Sequence, residues 1–210
     1  MNRDDAIETI FHREKKSILT FAIIILNALL FAVENTGEGL TASHMLELGA
    51  AFPPLIAEGQ YWRLITALFL HGSLRHLGSN MLGLLFLGDA AESHIGKIRF
   101  LTLYLGGGVL GNLFSFWHAS YVGEAVVSVG ASTSVFALLG YLLVSFLKDS
   151  KRGANTPIRR LLLYLVLALL SGFADPYIDG FAHLGGLVAG AILSLILIPS
   201  GNNTEPFWNT

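Results

Sequence analysis

The feature that most constrains this chain is a series of apolar runs near the length needed to cross a bilayer. A helix rising 1.5 Å per residue needs about 20 mainly apolar residues to span about 30 Å of hydrocarbon. Six runs approach that length: residues 17–33, 74–89, 100–120, 130–147, 161–173 and 178–198. The second is interrupted by polar residues. The fifth is short and borrows turns from residues 157–160, with Arg159 and Arg160 reaching back to the surface. Charge content agrees with this reading. Asp, Glu, Lys and Arg make up 13% of the chain, about half the roughly 25% of soluble proteins. So few charges cannot cover a water-facing surface, and the mean hydropathy is +0.60. The expected fold is an all-α membrane protein with six transmembrane helices.

The basic residues orient it. Eleven of the thirteen Lys and Arg fall on one side of the six-run layout, leaving Arg63 and Arg75 on the other. The positive-inside rule then puts the N-terminus in the cytoplasm, and six spans return the C-terminus there. The layout divides into a cytoplasmic N-terminal segment 1–16, a six-span domain 17–199 and a cytoplasmic tail 200–210. The first run does not read as a cleavable signal peptide, because its leading segment is long and mixed in charge and no small-residue cleavage site follows. The compact six-span layout suggests a prokaryotic plasma membrane. One outer loop, 35–73, is long and carries Pro53-Pro54, then Tyr61-Trp62-Arg63. Its apolar run 64–70 is too short to cross, so the loop is expected to lie half-buried, with Tyr61 and Trp62 at headgroup level and Arg63 as an anchor. The absence of cysteine excludes a disulfide scaffold, thiol catalysis and thiolate metal sites. No basic patch suits a nucleic acid.

Polar side chains within apolar spans are costly and are functional candidates by default. The second run opens HGSLRHLGSN, with His71, His76 and Asn80; the fourth opens GASTS, with Ser132; the sixth contains FAHLGGLVAG, with His183. All three runs enter from the outer face. At 1.5 Å per residue, Ser132, Asn80 and His183 lie roughly 3, 9 and 8 Å below the outer helix ends. Three helices thus deliver a serine, an amide and an imidazole to one layer. A serine protease needs a nucleophile, a base for its proton and donors for the oxyanion. Ser132 can be the nucleophile and His183 the base. Asn80, His76 (four residues apart on one helix face) and the Ser132 backbone N–H can donate. Gly130 leaves backbone room for a substrate. No acidic residue lies in the outer halves of the spans, and Glu124, Asp175 and Asp179 read as solvated loop acids. A Ser–His dyad therefore fits better than a triad.

The ordered segments HGSLRHLGSNM, GASTSVFALLG and AHLGGLVAG, with YWRLIT before the second run and AESHIGKIRFLTLYLGGG after it, resemble the rhomboid family of intramembrane serine proteases. The resemblance covers essentially the whole six-run layout. It implies proteolysis of other membrane proteins near the outer ends of their transmembrane segments. It also implies Ser132 as nucleophile, His183 as base, and His76 and Asn80 as oxyanion-hole side chains. Gly130 would be the glycine of the serine motif. Gly186 and Gly190 would let the fourth and sixth helices approach closely, which is also the physical reading of a G-x-x-x-G spacing. Neither a cofactor nor a metal is expected, and the partners are transmembrane substrates and lipid. Many members carry glycine after the serine, where this chain has Thr133; a β-branched residue there would narrow the space beside the nucleophile and reject bulky substrate side chains.

Other readings remain at this stage. His71, His76 and His183 could hold zinc, although no His-Glu-x-x-His helix or outer carboxylate supports them. His71 could simply shape the outer loop. Gly106-Gly107-Gly108 and Gly111 read as tight helix packing rather than a phosphate loop. A catalytically inert, client-binding relative would be expected to lack Ser or His. A transporter would need a polar path through the inner halves of the spans, which read as nearly all apolar.

Overall fold

In the computed structural model, residues 17–36, 39–149 and 179–198 are described. The expected fifth span, the segment 1–16 and the tail 200–210 lie outside them. Every regular element among the described residues is helical, apart from one isolated bridge between Ala51 and Ser128. The long helices are α1 (Ile18–Glu34), α5 (Leu74–Gly83) with its continuation α6 (Asp89–Ile95), α7 (Lys97–Val122), α8 (Ser132–Asp149) and α9 (Gly180–Leu197). The short helices α2 (Ala42–Leu48), α3 (Pro53–Ala57) and α4 (Arg63–Thr66) lie between α1 and α5. Helices α7 and α9 are long and apolar enough to cross a membrane, and α1 and α8 are shorter apolar helices. Large side chains such as Phe21, Leu29, Phe86, Ile98, Ile192 and Ile196 face outward. Exposed apolar surface on that scale suits hydrocarbon rather than water.

Local chemistry sets the helix ends. Ser73 caps α5 by accepting from the His76 N–H, and Asp179 caps α9 by accepting from the Ala182 N–H. α7 stops at Gly123, which is left-handed. The second apolar run extends beyond the predicted residue 89. Between α5 and α6 the chain widens into a π turn at Leu84–Gly88, which keeps the axis running to Ile95.

The outer loop is folded, not loose. Arg63 is buried and donates to the carbonyls of Leu46 and Ala50 and to Gln60 Oε1, which makes it the anchor the sequence suggested. Tyr61, Trp62 and Ile65 remain exposed on the same segment. The loop also clasps the strand-like stretch before α8: Ala51 pairs with Ser128, and the Gly130 N–H donates to the Ala67 carbonyl.

The tightest packing joins α7, α8 and α9. A Cβ added to Gly190 would land on the Ala137 carbonyl, one on Gly186 would land on the Thr133 carbonyl, and one on Gly111 would meet Thr133 and the Gly186 backbone. Gly107 likewise abuts Ala137. At Gly186 and Gly190 the contact is with backbone, and at Gly107 and Gly111 the first atoms met are the Ala137 Cβ and the Thr133 methyl, so a side chain at any of the four would collide. The expected approach of the fourth and sixth runs is thus present in the structure, and the glycines of α7 serve the same packing.

Candidate active site

Ser132 is the first residue of α8 and His183 lies one turn into α9. The close α8–α9 approach brings His183 Nε2 to 2.8 Å from Ser132 Oγ. His183 is buried, and its ring stacks on Phe136, with centroids 4.3 Å apart and an interplanar angle of 13°. Its Nδ1 has no hydrogen-bond partner among the described residues. A carboxylate on Nδ1 normally orients a catalytic imidazole; here Phe136 and the helix backbone orient it. Phe136 was not singled out from sequence. The available signal was its place four residues after Ser132, on the same helix face.

Gly130, two residues before Ser132, has φ +128, a conformation that disfavours any side chain. The space where a Cβ would sit is bounded by His76 Nε2 at 2.7 Å and Asn80 Nδ2 at 3.3 Å. Asn80 is buried and its Nδ2 has no partner among the described residues. A buried donor left unpaired is costly and calls for a reason. The first N–H groups of a helix also lack intrahelical partners, and Ser132 supplies one here. Glycine at 130 thus lets His76 Nε2 and Asn80 Nδ2 come close against the backbone two residues before Ser132, where a Cβ would collide with the His76 ring.

His71 is also buried, and it lies behind His76. Its ring packs edge-on against His76 with centroids 5.3 Å apart, and its backbone N–H donates to Glu34 Oε2. Burial, with His76 adding to it, pushes the His71 imidazole down from 6.5 to about 3, so it is neutral. It braces His76 and ties the end of α1 to the loop. Glu34 is a buried acid that the sequence reading passed over, because it ends the first apolar run without lying inside it.

Two expectations need correction. Thr133 does not narrow the space beside the nucleophile: its side chain is buried between α7 and α9, and its hydroxyl donates to Asn112 Oδ1. Its neighbour in α7 is glycine, so the methyl fills room left by Gly111. Nor is Asp179 a solvated loop acid. Its Oδ1 accepts from the Ala182 N–H and its Oδ2 from Ser115 Oγ. Glu124, by contrast, is exposed as expected.

Comparison with known proteins agrees with this arrangement. The Rhomboid domain family matches residues 58–200, a stretch that includes every candidate site residue. The chain is 35% identical to "Rhomboid protease GluP" of Bacillus subtilis over 83% of its own length. It is 38% identical to "RHOMBOID-like protein 5" of Arabidopsis thaliana over 79%, and 32% identical to "Rhomboid-like protease 2" of Toxoplasma gondii over 80%. These matches span 34%, 53% and 58% of those relatives, so the chain is similar to only part of each. A family match over most of the chain, reaching from the outer loop to the last helix, joins the paired Ser132 and His183 in one conclusion: this is a member of the rhomboid family of membrane proteins.

Proposed function

We propose that the protein is an intramembrane serine endopeptidase that cuts transmembrane segments of other membrane proteins near the outer face. The observation that carries this reading is the 2.8 Å approach of His183 Nε2 to Ser132 Oγ in a buried setting. Ser132 attacks the scissile carbonyl while His183 takes its proton. The resulting oxyanion is held by Asn80 Nδ2, His76 Nε2 and the Ser132 N–H, the first two lying close to the Gly130 backbone. His183 then protonates the leaving amine, and water hydrolyses the acyl-enzyme. The substrate segment must unwind locally, because helical hydrogen bonds shield its carbonyls; helix-destabilising residues near the cut favour cleavage. Gly186 and Gly190 support the site by permitting the backbone contact that pairs the dyad, and His71 supports it through His76.

The six-span layout with both termini in the cytoplasm is part of the same reading. It is supported by the eleven-to-two division of basic residues and by the apolar outward faces of the helices. The test is cleavage of a single-span reporter in liposomes by wild type, Ser132→Ala and His183→Ala, with unfolding curves confirming that both variants fold. Wild type alone should cut. Cleavage persisting in both variants would sink the mechanism. Silence from wild type, with Ser132 unreactive to a fluorophosphonate, would favour an inert client-binding protein instead.

A further inference from the structure

Among the described residues no carboxylate bonds His183 Nδ1, so the contacts that fix His183 there are others. Three contacts act on or next to it. The ring meets Ser132 Oγ and stacks on Phe136. The backbone N–H of His183 donates to the carbonyl of Asp179 at 3.2 Å, closing the first turn of α9. Asp179 is thus bonded directly to the backbone of the residue whose ring must be aimed.

Asp179 does two further things. Its Oδ1 accepts from the Ala182 N–H at 2.8 Å, so the carboxylate caps the helix. Its Oδ2 accepts from Ser115 Oγ of α7 at 2.6 Å, so the cap is pinned to a second helix. A cap bonded only to its own helix sets where that helix begins. A cap that also bonds a neighbouring helix sets the rotation and height of that beginning relative to the neighbour. Ser115 and Asp179 line a cavity of about 140 Å³ that also meets Asn112, His118 and Phe181. Ser132 and His183 are not part of its lining. The pair therefore acts from beside the dyad, not within it.

The same face of α7 holds the serine. Asn112, one turn before Ser115, accepts from Thr133 Oγ1 and donates to the Leu64 carbonyl. Thr133 follows Ser132 in the chain. One face of α7 thus anchors the residue beside the nucleophile and the cap of the helix that carries the base.

We propose that Asp179 is a positioning residue for His183: bonded to Ser115, it supplies through the backbone of α9 the orientation that a triad carboxylate supplies through Nδ1. This rests on the dyad reading above. A displacement of the base by about 1 Å can cost on the order of a hundredfold in rate, so the effect should appear in kcat and not in KM.

The experiment measures kcat and KM for a single-span reporter in liposomes, the rate of fluorophosphonate labelling of Ser132, and thermal unfolding. The proteins are wild type, Ser132→Ala, Asp179→Ala, Asp179→Asn, Ser115→Ala and the Ser115→Ala/Asp179→Ala double variant. Asp179→Ala should lower kcat and the labelling rate by about ten- to a hundredfold, with KM changed less than about threefold. Asp179→Asn should recover most of the rate, because an amide still caps and still meets Ser115. Ser115→Ala keeps the cap, so it should fold and lose about three- to tenfold; the double variant should be no worse than Asp179→Ala. If Asp179→Ala does not fold, the loss in Ser115→Ala and its absence from KM carry the test. Asp179→Ala and Ser115→Ala keeping kcat within about twofold while unfolding earlier would reduce the pair to an ordinary cap and overturn the proposal. A kcat loss in Asp179→Asn equal to that in Asp179→Ala would overturn it too, since charge rather than position would then matter. A wild type that does not cut, or a Ser132→Ala that does, would remove the underlying reading and the proposal with it.

Discussion

The two ends of the helix bundle hold polar residues in opposite ways. At the Glu92 end, the acceptors are taken. Glu92 Oε1 accepts from the Leu19 N–H, and Oε2 accepts from the Thr20 N–H and hydroxyl. Asp89 Oδ1 accepts from Ser17 Oγ, and Tyr141 Oη bonds His94 Nδ1. The start of α1, which lacks a side-chain cap of its own, is satisfied from a different helix. At the Ser132 end, Asn80 Nδ2, His183 Nδ1 and both ring nitrogens of His71 have no partner among the described residues. Both layers contain buried polar atoms, so burial alone does not separate structure from chemistry. Pairing distinguishes Glu92 from Asn80: Glu92 and its donors tie α1 to α6, whereas Asn80 Nδ2 lies buried and unpaired among the described residues, near the Ser132–His183 pair, as the proposed oxyanion role requires.

The sharpest attempt to break this contrast is Asn80→Ala. It removes an unpaired donor and no existing bond of that amide, so kcat should fall on the order of 10²–10³ while the unfolding midpoint hardly moves. A large stability loss with little change in rate would place Asn80 with the structural residues. Glu92→Ala is the converse. It should cost about 1–3 kcal/mol by leaving buried donors of α1 unpaired, measured by chemical or thermal unfolding, and should retain near-normal kcat below the melting transition.

Thr133→Val sits between the two ends. It leaves Asn112 Oδ1 without its donor and should cost about 1 kcal/mol. Thr133→Ser should keep that bond, and neither variant should change which residue is preferred at the cut, because the side chain does not face the substrate. A broadened preference in a reporter panel would restore the sequence-based expectation.

The smallest effect concerns His71. Its folded value, about 3, lies below its ordinary 6.5, so the unfolded chain binds the extra proton first as pH falls. The stability this neutral ring contributes is complete above about pH 6.5 and declines from there toward pH 3. Between pH 7 and 6 the loss is about 0.7 kcal/mol, and His71→Asn should flatten that part of the pH–stability curve relative to wild type. Equal slopes in both proteins would show that His71 does not carry it.

Much of the site was readable in the chain because each signal was local. Ser132, His183, Asn80 and His76 are polar residues inside apolar runs, and a bilayer makes each of them expensive enough to notice. Gly186 and Gly190 came with the family resemblance, and their G-x-x-x-G spacing carries the same physical reading. Asp179, Ser115, Asn112 and Phe136 did not. A serine or asparagine in a glycine-rich helix has no visible partner until another helix is laid beside it, and an acid just outside an apolar run looks solvated until its oxygens are seen to be bonded. Thr133 was misread, and Glu34 passed over, for the same reason: the direction a side chain takes depends on which helix it meets.

What the sequence determined by itself was therefore the class of fold and the residues able to do chemistry, since hydrophobic length and isolated polar groups are properties of single segments. Tertiary structure decided which of those residues meet, which donors stay unpaired, and that one face of α7 holds both the residue beside the serine and the cap of the histidine's helix. Those are relations between segments far apart in the chain. They exist only because glycine lets α7, α8 and α9 approach to backbone contact.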